Sequence, residues 1–379
     1  MPQRSLTKKQ WAEALLDAVQ EFGSLLEKET PQSEYQWPPE WKEQFGISRE
    51  LTAPTDIGEQ AAQKLCGQLL DDSHYDLLLN ETGMVLTPSL KPLCSLLKNR
   101  VPQDLLDAVR PIVRKAASQR KVAGGNRGVA AGTGMVQRRK RNGQMSKMKG
   151  APRLEDLPDE DYARLRSATD GTFGFLDRSI GGGQVYPCRI THYSGALPRD
   201  FALMGILAKT VAEVFKTSFV GLDTWDAQMA KASQTPLPWL IRTSKGHTPF
   251  TTITCNKSWR TAAHTDSGDL KEGFGVMCCL GDFEGCDLVF PRYRTAVRYR
   301  EGDVLLANVH EVHGNTPLLN PDGSAPKVKR EPERLVCVFY YRENMFQCET
   351  TIEKEHKFIN RRERGGAMRK AKAKAAGKK

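Results

Sequence analysis

The sequence predicts an α+β protein whose C-terminal half closes into an all-β sandwich or barrel. Three observations carry this. After Trp239 the apolar runs are short and divided by Gly, Pro and Asp turns, the texture of strands in a β core. Before it, apolar residues recur at three- and four-residue intervals, the spacing of amphipathic helices. A chain of 379 residues that is 39% hydrophobic can bury a full core, and at roughly 150 residues per domain it has room for one large unit and an appendage.

Taken in order, residues 6–27 place Trp11, Leu15, Leu16, Val19, Phe22, Leu25 and Leu26 on one helical face, and Thr7 with Gln10 has the spacing of a capping box. Helical patterns follow at 57–70, 90–97 and 102–117, after a turn-rich piece at 37–41, so residues 1–117 read as a helical N-terminal region. Residues 118–150 are rich in Gly, Arg, Lys, Gln and Met, too poor in large apolar groups to offset the entropy of ordering; a flexible segment is expected. Residues 151–350 mix helix and strand. Phe201, Leu203, Met204, Leu207, Val211, Val214 and Phe215 predict a long helix over 199–219, and strands are predicted at 250–255, 275–280, 287–290, 296–299, 304–308 and 335–341. Residues 351–379 form a basic tail.

The net charge of +11 is unevenly placed. Residues 110–150 carry 12 Lys or Arg and no acid, and residues 351–379 carry 11 basic against 3 acidic residues. The two tracts hold +20, which leaves the remainder at −9. Such tracts suit a polyanion, with affinity that falls as salt rises. Arg138, Arg139, Lys140 and Arg141 form a compact cluster fit for nuclear import or phosphate contact. No apolar run is long enough for a bilayer and residues 1–9 lack the apolar core of a secretory signal, so a soluble, intracellular protein without a membrane partner is expected. Nine scattered cysteines with no CxxC pair point to thiols in a reducing compartment, not to a zinc site.

The strands carry chemistry. His264 and Asp266, two apart at a strand end, project to one side and can share a metal. Gly302-Asp303 leads into an apolar run, and His313-Gly314 follows about ten residues later, where a further strand returns a histidine to that metal. His310 is the rival ligand; His313 is preferred because the glycine after it lets the backbone pass close to a bound group. Two histidines and a carboxylate hold Fe(II) by one face and leave the other open. Arg334 opens a strand of alternating pattern, and a guanidinium there can bind a carboxylate by two parallel hydrogen bonds, the need of the distal carboxylate of 2-oxoglutarate.

The runs NKSWRTAAHTDSGDLKEGFGVMCCLGDFEGCDLVFP, GDVLLANVHEVHGNTP and RLVCVFYYRENM resemble the double-stranded β-helix (jelly-roll) of 2-oxoglutarate/Fe(II) dioxygenases, and within them the TET/JBP family that oxidises methyl-bearing DNA bases. The resemblance spans about residues 150–350 and looks closest to fungal TET-like enzymes acting on 5-methylcytosine, some also on N6-methyladenine. It implies Fe(II), 2-oxoglutarate and O2 as cofactors, His264, Asp266 and His313 as iron ligands and Arg334 as the 2-oxoglutarate anchor. It further implies that Asn256 bonds co-substrate or base, that Asp269 accepts from the exocyclic amine of a flipped base, and that Tyr340 and Arg342 supply a stacking ring and a polar partner. Lys327, Lys329 and Arg330, in the long segment before Arg334, could touch the DNA backbone. The implied protein is a monomeric nuclear enzyme acting on double-stranded DNA with methylated bases. The rivals are an AlkB-like nucleic-acid dealkylase, a prolyl-type protein hydroxylase, and a non-catalytic DNA-binding protein.

Overall fold

The computed structural model describes residues 49–118, 120–121, 129–130, 132, 169–180, 184–218, 222–235, 240–243, 246–266, 268–326 and 332–348. The helix expected at 6–27, the cluster Arg138–Arg141, the residues Lys327, Lys329 and Arg330, and the basic tail lie outside them.

In chain order the strands are β1 (Arg49–Thr52), β2 (Leu77–Leu79), β3 (Gly83–Leu86), β4 (Pro92–Leu97), β5 (Arg120–Lys121), β6 (Thr169–Ile180), β7 (Gln184–Ile190), β8 (Arg242–Thr243) and β9 (Gly246–His247). They continue as β10 (Thr252–Lys257), β11 (Gly275–Leu280), β12 (Glu284–Gly285), β13 (Leu288–Phe290), β14 (Thr295–Val297), β15 (Val304–Ala307), β16 (Gly314–Asn315), β17 (Leu318–Leu319) and β18 (Leu335–Tyr340). The helices are α1 (Glu59–Gln63), α2 (Gln103–Ala117), α3 (His192–Ala196), α4 (Pro198–Lys216) and α5 (Leu222–Gln234).

A large sheet runs β1-β3-β4-β15-β11-β18-β10-β6-β5, with β7 on β6, and a smaller one runs β16-β13-β14-β2. Alternation along the central strands assigns the two faces. Val276, Cys278 and Leu280 of β11 and Leu335, Cys337 and Phe339 of β18 join α2 and α4 in one core. Met277, Cys279 and Val336 point the other way, into a second core with Leu288, Phe290 and Val297 of the small sheet. This is a jelly-roll fold: two sheets enclose one core, and helices cover the back of the larger. In α2, Leu105, Leu106, Val109, Val113, Ala116 and Ala117 are buried, spacings that put them on one face.

Three expectations change. Residues 90–97 form strand β4, not a helix. Leu93 and Leu96 face one core and Leu97 the other, and a strand buried on both sides reads as an apolar run that mimics a helical period. Of the helix expected over 57–70, only Glu59–Gln63 is α-helical. The described part of the N-terminal region is also not all helix: β1, β3 and β4 extend the large sheet and β2 pairs with β14 in parallel. Ala62 and Leu70 pack against Ala263 and Val312, directly behind the two histidines of the site.

The Gly302-Asp303 pair has a structural task. Gly302 adopts φ +79°, and the buried Asp303 carboxylate accepts from the backbone N–H of Arg300 and Asn99 and from Lys98. That fastens the entry of β15 to the end of β4. Among the described residues seven cysteines are free and Cys348 is disulfide-bonded, a departure from thiols alone that unpaired spacing gave no means to foresee. No helix among the described residues is long and apolar enough to cross a membrane.

Candidate active site

The segment after β10 runs alongside β18 and is stitched to it at both ends. At one end Ser258 N–H donates to the Arg334 carbonyl (2.7 Å). At the other, Asp269 forms a bridge with Arg342, and Leu270 N–H donates to the Tyr341 carbonyl (2.9 Å). Between these ends lie His264 and Asp266. A cavity of about 370 Å³ follows the segment, and all eight residues singled out in the sequence line it: Asn256, His264, Asp266, Asp269, His313, Arg334, Tyr340 and Arg342.

The metal-ligand candidates converge at its middle. His264 and His313 form an antiparallel bridge through reciprocal backbone bonds of 2.8 and 2.9 Å, and their rings lie 4.4 Å apart. Asp266 is held by its N–H to the Val309 carbonyl, with carboxylate oxygens 3.8 Å from the Nε2 of each histidine. One ligand atom from each of the three falls within 4.8 Å of the others. The Nδ1 of His264 faces the Ala262 carbonyl (2.8 Å) and that of His313 the Glu311 carbonyl (3.0 Å). Each carbonyl fixes the proton on Nδ1 and leaves the Nε2 lone pair for a metal. Burial, helped by neighbouring His264, holds His313 well below the usual histidine range against the pull of Asp266, so its ring is neutral at neutral pH. His310 turns away, with Nε2 2.9 Å from the Leu270 carbonyl.

The Arg334 end fits a dicarboxylate. Arg334 is 3% exposed, yet its Nη2 donates only to the Tyr299 hydroxyl and its Nε has no partner. The guanidinium carbon lies 5.4 Å from the Tyr299 ring and 5.5 Å from the Phe283 ring. A buried guanidinium braced by rings, with a donor to spare, is built to meet an anion. Asn256, paired with Val336 one step along β18, leaves its Oδ1 buried without a partner, and it belongs to this end by position. The donor set and the anion cradle fit an iron and 2-oxoglutarate centre.

At the far end, burial and then the neighbouring Asp266 carboxylate hold the Asp269 carboxyl well above the usual range, while Arg342 pulls it down. The Tyr340 hydroxyl bonds Thr254 Oγ1 at 3.1 Å, which sets its ring along the cavity wall. Tyr299 and Phe283 were not singled out in the sequence. Their role depends on residues 35 and 51 positions before Arg334 meeting it in space, which no local spacing encodes.

Residues 201–343 match the family model Tet_JBP, described as the oxygenase domain of the 2OGFeDO superfamily. That stretch is similar to the TET/JBP oxygenase domain. The match contains every residue of the cavity's metal, anion and Asp269 sites. Among curated proteins the chain is 30% identical to thymine dioxygenase JBP1-B of Trypanosoma cruzi over 198 residues, 52% of this chain and 22% of that protein. It is 37% identical to thymine dioxygenase JBP1 of Crithidia fasciculata over 177 residues, 46% and 20% of the two. The bifunctional helicase and thymine dioxygenase JBP2 of Leishmania infantum is 47% identical over 76 residues, 20% and 7%. The chain thus spans about a fifth of the JBP1 relatives it matches. Among solved structures, NgTET1 in complex with 5mC DNA aligns with a TM-score of 0.48 at 11% identity, covering 94% of this chain and 100% of that one.

Proposed function

We propose that this protein is an Fe(II)- and 2-oxoglutarate-dependent dioxygenase that oxidises the methyl group of a modified base in double-stranded DNA. 5-Methylcytosine is the first candidate, passing to 5-hydroxymethyl-, formyl- and carboxylcytosine, and N6-methyladenine, which would lose its methyl group, is the second. The observation that carries the reading is the linear order within one cavity: anion cradle at Arg334, ligand triad at His264, Asp266 and His313, base-edge groups at Asp269 and Arg342. A prolyl-type hydroxylase shares the first two but has no need of the third. The names of the JBP relatives favour thymine as a further substrate to test.

Iron with 2-oxoglutarate and oxygen supplies the oxidation of a C–H bond when bound. The chain does the rest. His264 and His313 would offer Nε2, and Asp266 a carboxylate oxygen, to hold the iron. Arg334 takes the distal carboxylate of the dicarboxylate, with Asn256 beside it. Met277, Leu288, Val309, Val336 and Val338 line the walls and exclude water. The volume sits at the small end of ligand pockets, so the base must leave the stack to enter. Tyr340 offers a ring to its face, and Asp269 and Arg342 hydrogen-bonding groups to its edge. The basic tracts would hold phosphates, and with the cluster at Arg138–Arg141 they favour a nuclear protein working on duplex DNA.

Nucleoside mass spectrometry after incubation with Fe(II), 2-oxoglutarate and duplexes containing 5-methylcytosine, N6-methyladenine or thymine tests this. An oxidised or demethylated base is expected with the native chain and none with Asp266→Ala. No modified DNA base, with product instead from an RNA or peptide panel, would overturn it.

A further inference from the structure

Seven buried side-chain atoms among the described residues have no hydrogen-bond partner, and three of them belong to residues lining the cavity described above: Arg334 Nε, Asn256 Oδ1 and the indole Nε1 of Trp259. The first two have a place in the function already proposed. Trp259 does not. It is 8% exposed, and an indole nitrogen is a donor only, so its partner must be an acceptor that enters the cavity. Native proteins rarely leave such a donor orphaned, and the exceptions ask for a missing ligand.

Position identifies the acceptor. Trp259 follows Ser258, which adopts φ +44° and is tied to the Arg334 backbone twice, by its N–H to the Arg334 carbonyl and by its hydroxyl accepting from Arg334 N–H (3.4 Å). The Ser258 hydroxyl in turn donates to the Pro332 carbonyl (3.0 Å). Trp259 thereby follows a turn locked to the Arg334 backbone, and both residues line the cavity. The base-edge groups sit at the other end of β18, about 20 Å away along a six-residue strand. By position along β10 and β18, Trp259 belongs to the Arg334 end of the cavity and not to the base end.

Resting on the oxygenase reading, we propose that the indole N–H of Trp259 is a second donor to the distal carboxylate of 2-oxoglutarate, completing with Arg334 a cradle closed on two sides. Arg334 supplies charge and a fork; Trp259 supplies one neutral, directional bond and a wall that keeps water from the carboxylate. The same geometry sets a length limit. The acceptor must sit at Arg334 while the other end of the molecule reaches the triad, so a shorter 2-oxoacid lacking the distal carboxylate gains nothing from Trp259.

Calorimetric titration of 2-oxoglutarate into the Zn(II)-loaded full chain tests this with Trp259→Phe, which keeps a ring and removes the donor. The variant should bind 2-oxoglutarate on the order of tenfold more weakly. Its zinc affinity and its affinity for methylated duplex should match the native chain. Should the variant fail to fold, the native chain answers alone: of its six tryptophan indole N–H signals in a nitrogen-15 spectrum, one should move downfield on adding 2-oxoglutarate. Native binding with an unchanged Trp259→Phe affinity, or with no indole shift, would overturn the Trp259 assignment and leave the oxygenase reading standing. No binding of 2-oxoglutarate to the native chain would sink both.

Discussion

His313 owes its position to the residue after it. A Cβ on Gly314 would meet Ala263 N at 2.9 Å and the Ala262 carbonyl carbon at 3.0 Å, backbone atoms that cannot turn aside. Gly314→Ala should push apart the strands that bring His264 to His313, at a stability cost of about 1–3 kcal/mol. It should also weaken Fe(II) or Zn(II) binding, read by metal titration; full metal affinity in that variant would contradict the account. Arg334→Lys keeps the charge but loses the fork, so KM for 2-oxoglutarate should rise by roughly tenfold or more, with metal stoichiometry unchanged. At this scale the sequence was informative where chemistry follows spacing: the His-x-Asp pair, the late histidine and its glycine were all readable. It was silent on Tyr299, Phe283 and the orphaned Trp259 donor, because each gains meaning only from residues on other strands.

Helix α2 is fastened to the large sheet by its arginines as well as by its apolar face. Arg110 pairs with Glu301 at 2.6 Å and Arg114 with Glu333 at 2.6 Å. Burial would raise the Glu301 carboxyl, but the Arg110 guanidinium, the Gly281 N–H and Gln103 outweigh it and hold it at about 2, below its usual 4.5. A carboxyl depressed on folding adds stability that is complete above the unfolded value and fades as pH falls through the folded one. The contribution of Glu301 should therefore be whole above about pH 4.5 and lost on approach to about pH 2. Glu301→Gln should lower stability at pH 7 by about 2 kcal/mol and by much less near pH 2, measured by denaturant unfolding at both. An equal loss at the two pH values would contradict this. Strands such as β11 and β18 were legible as elements because turns bound them, and β4 was not, since burial on both faces erased its alternation.

Across the whole molecule, charge and cavity meet at one point. Ala130, inside the basic 110–150 tract, is 5% exposed, accepts from Ala262 N–H at 2.8 Å and lines the cavity of the candidate site. Residues 118–150 were read from the sequence as a flexible segment, and this anchor within them was invisible, because alanine carries no local signal of docking. Replacing Arg138, Arg139, Lys140 and Arg141 with glutamine should weaken DNA binding alike for all sequences and reduce the slope of log K against log salt by up to about 3.6. An unchanged slope would place those charges away from the phosphates. The oxygenase fold and the order of its motifs were present in the sequence; the way residues 49–97 build into both sheets was not, since parallel pairings such as β2 with β14 link segments more than two hundred residues apart.

The central claim is that one cavity couples a dicarboxylate to a methyl group on DNA. The most direct measurement follows succinate release from 2-oxoglutarate together with oxidised nucleoside, with and without methylated duplex. The account predicts that succinate rises sharply only when the methylated duplex is present, about one per oxidation step, and that Asp269→Ala lowers base oxidation while leaving 2-oxoglutarate binding intact. Succinate formation indifferent to DNA, or base oxidation indifferent to Asp269, would contradict it.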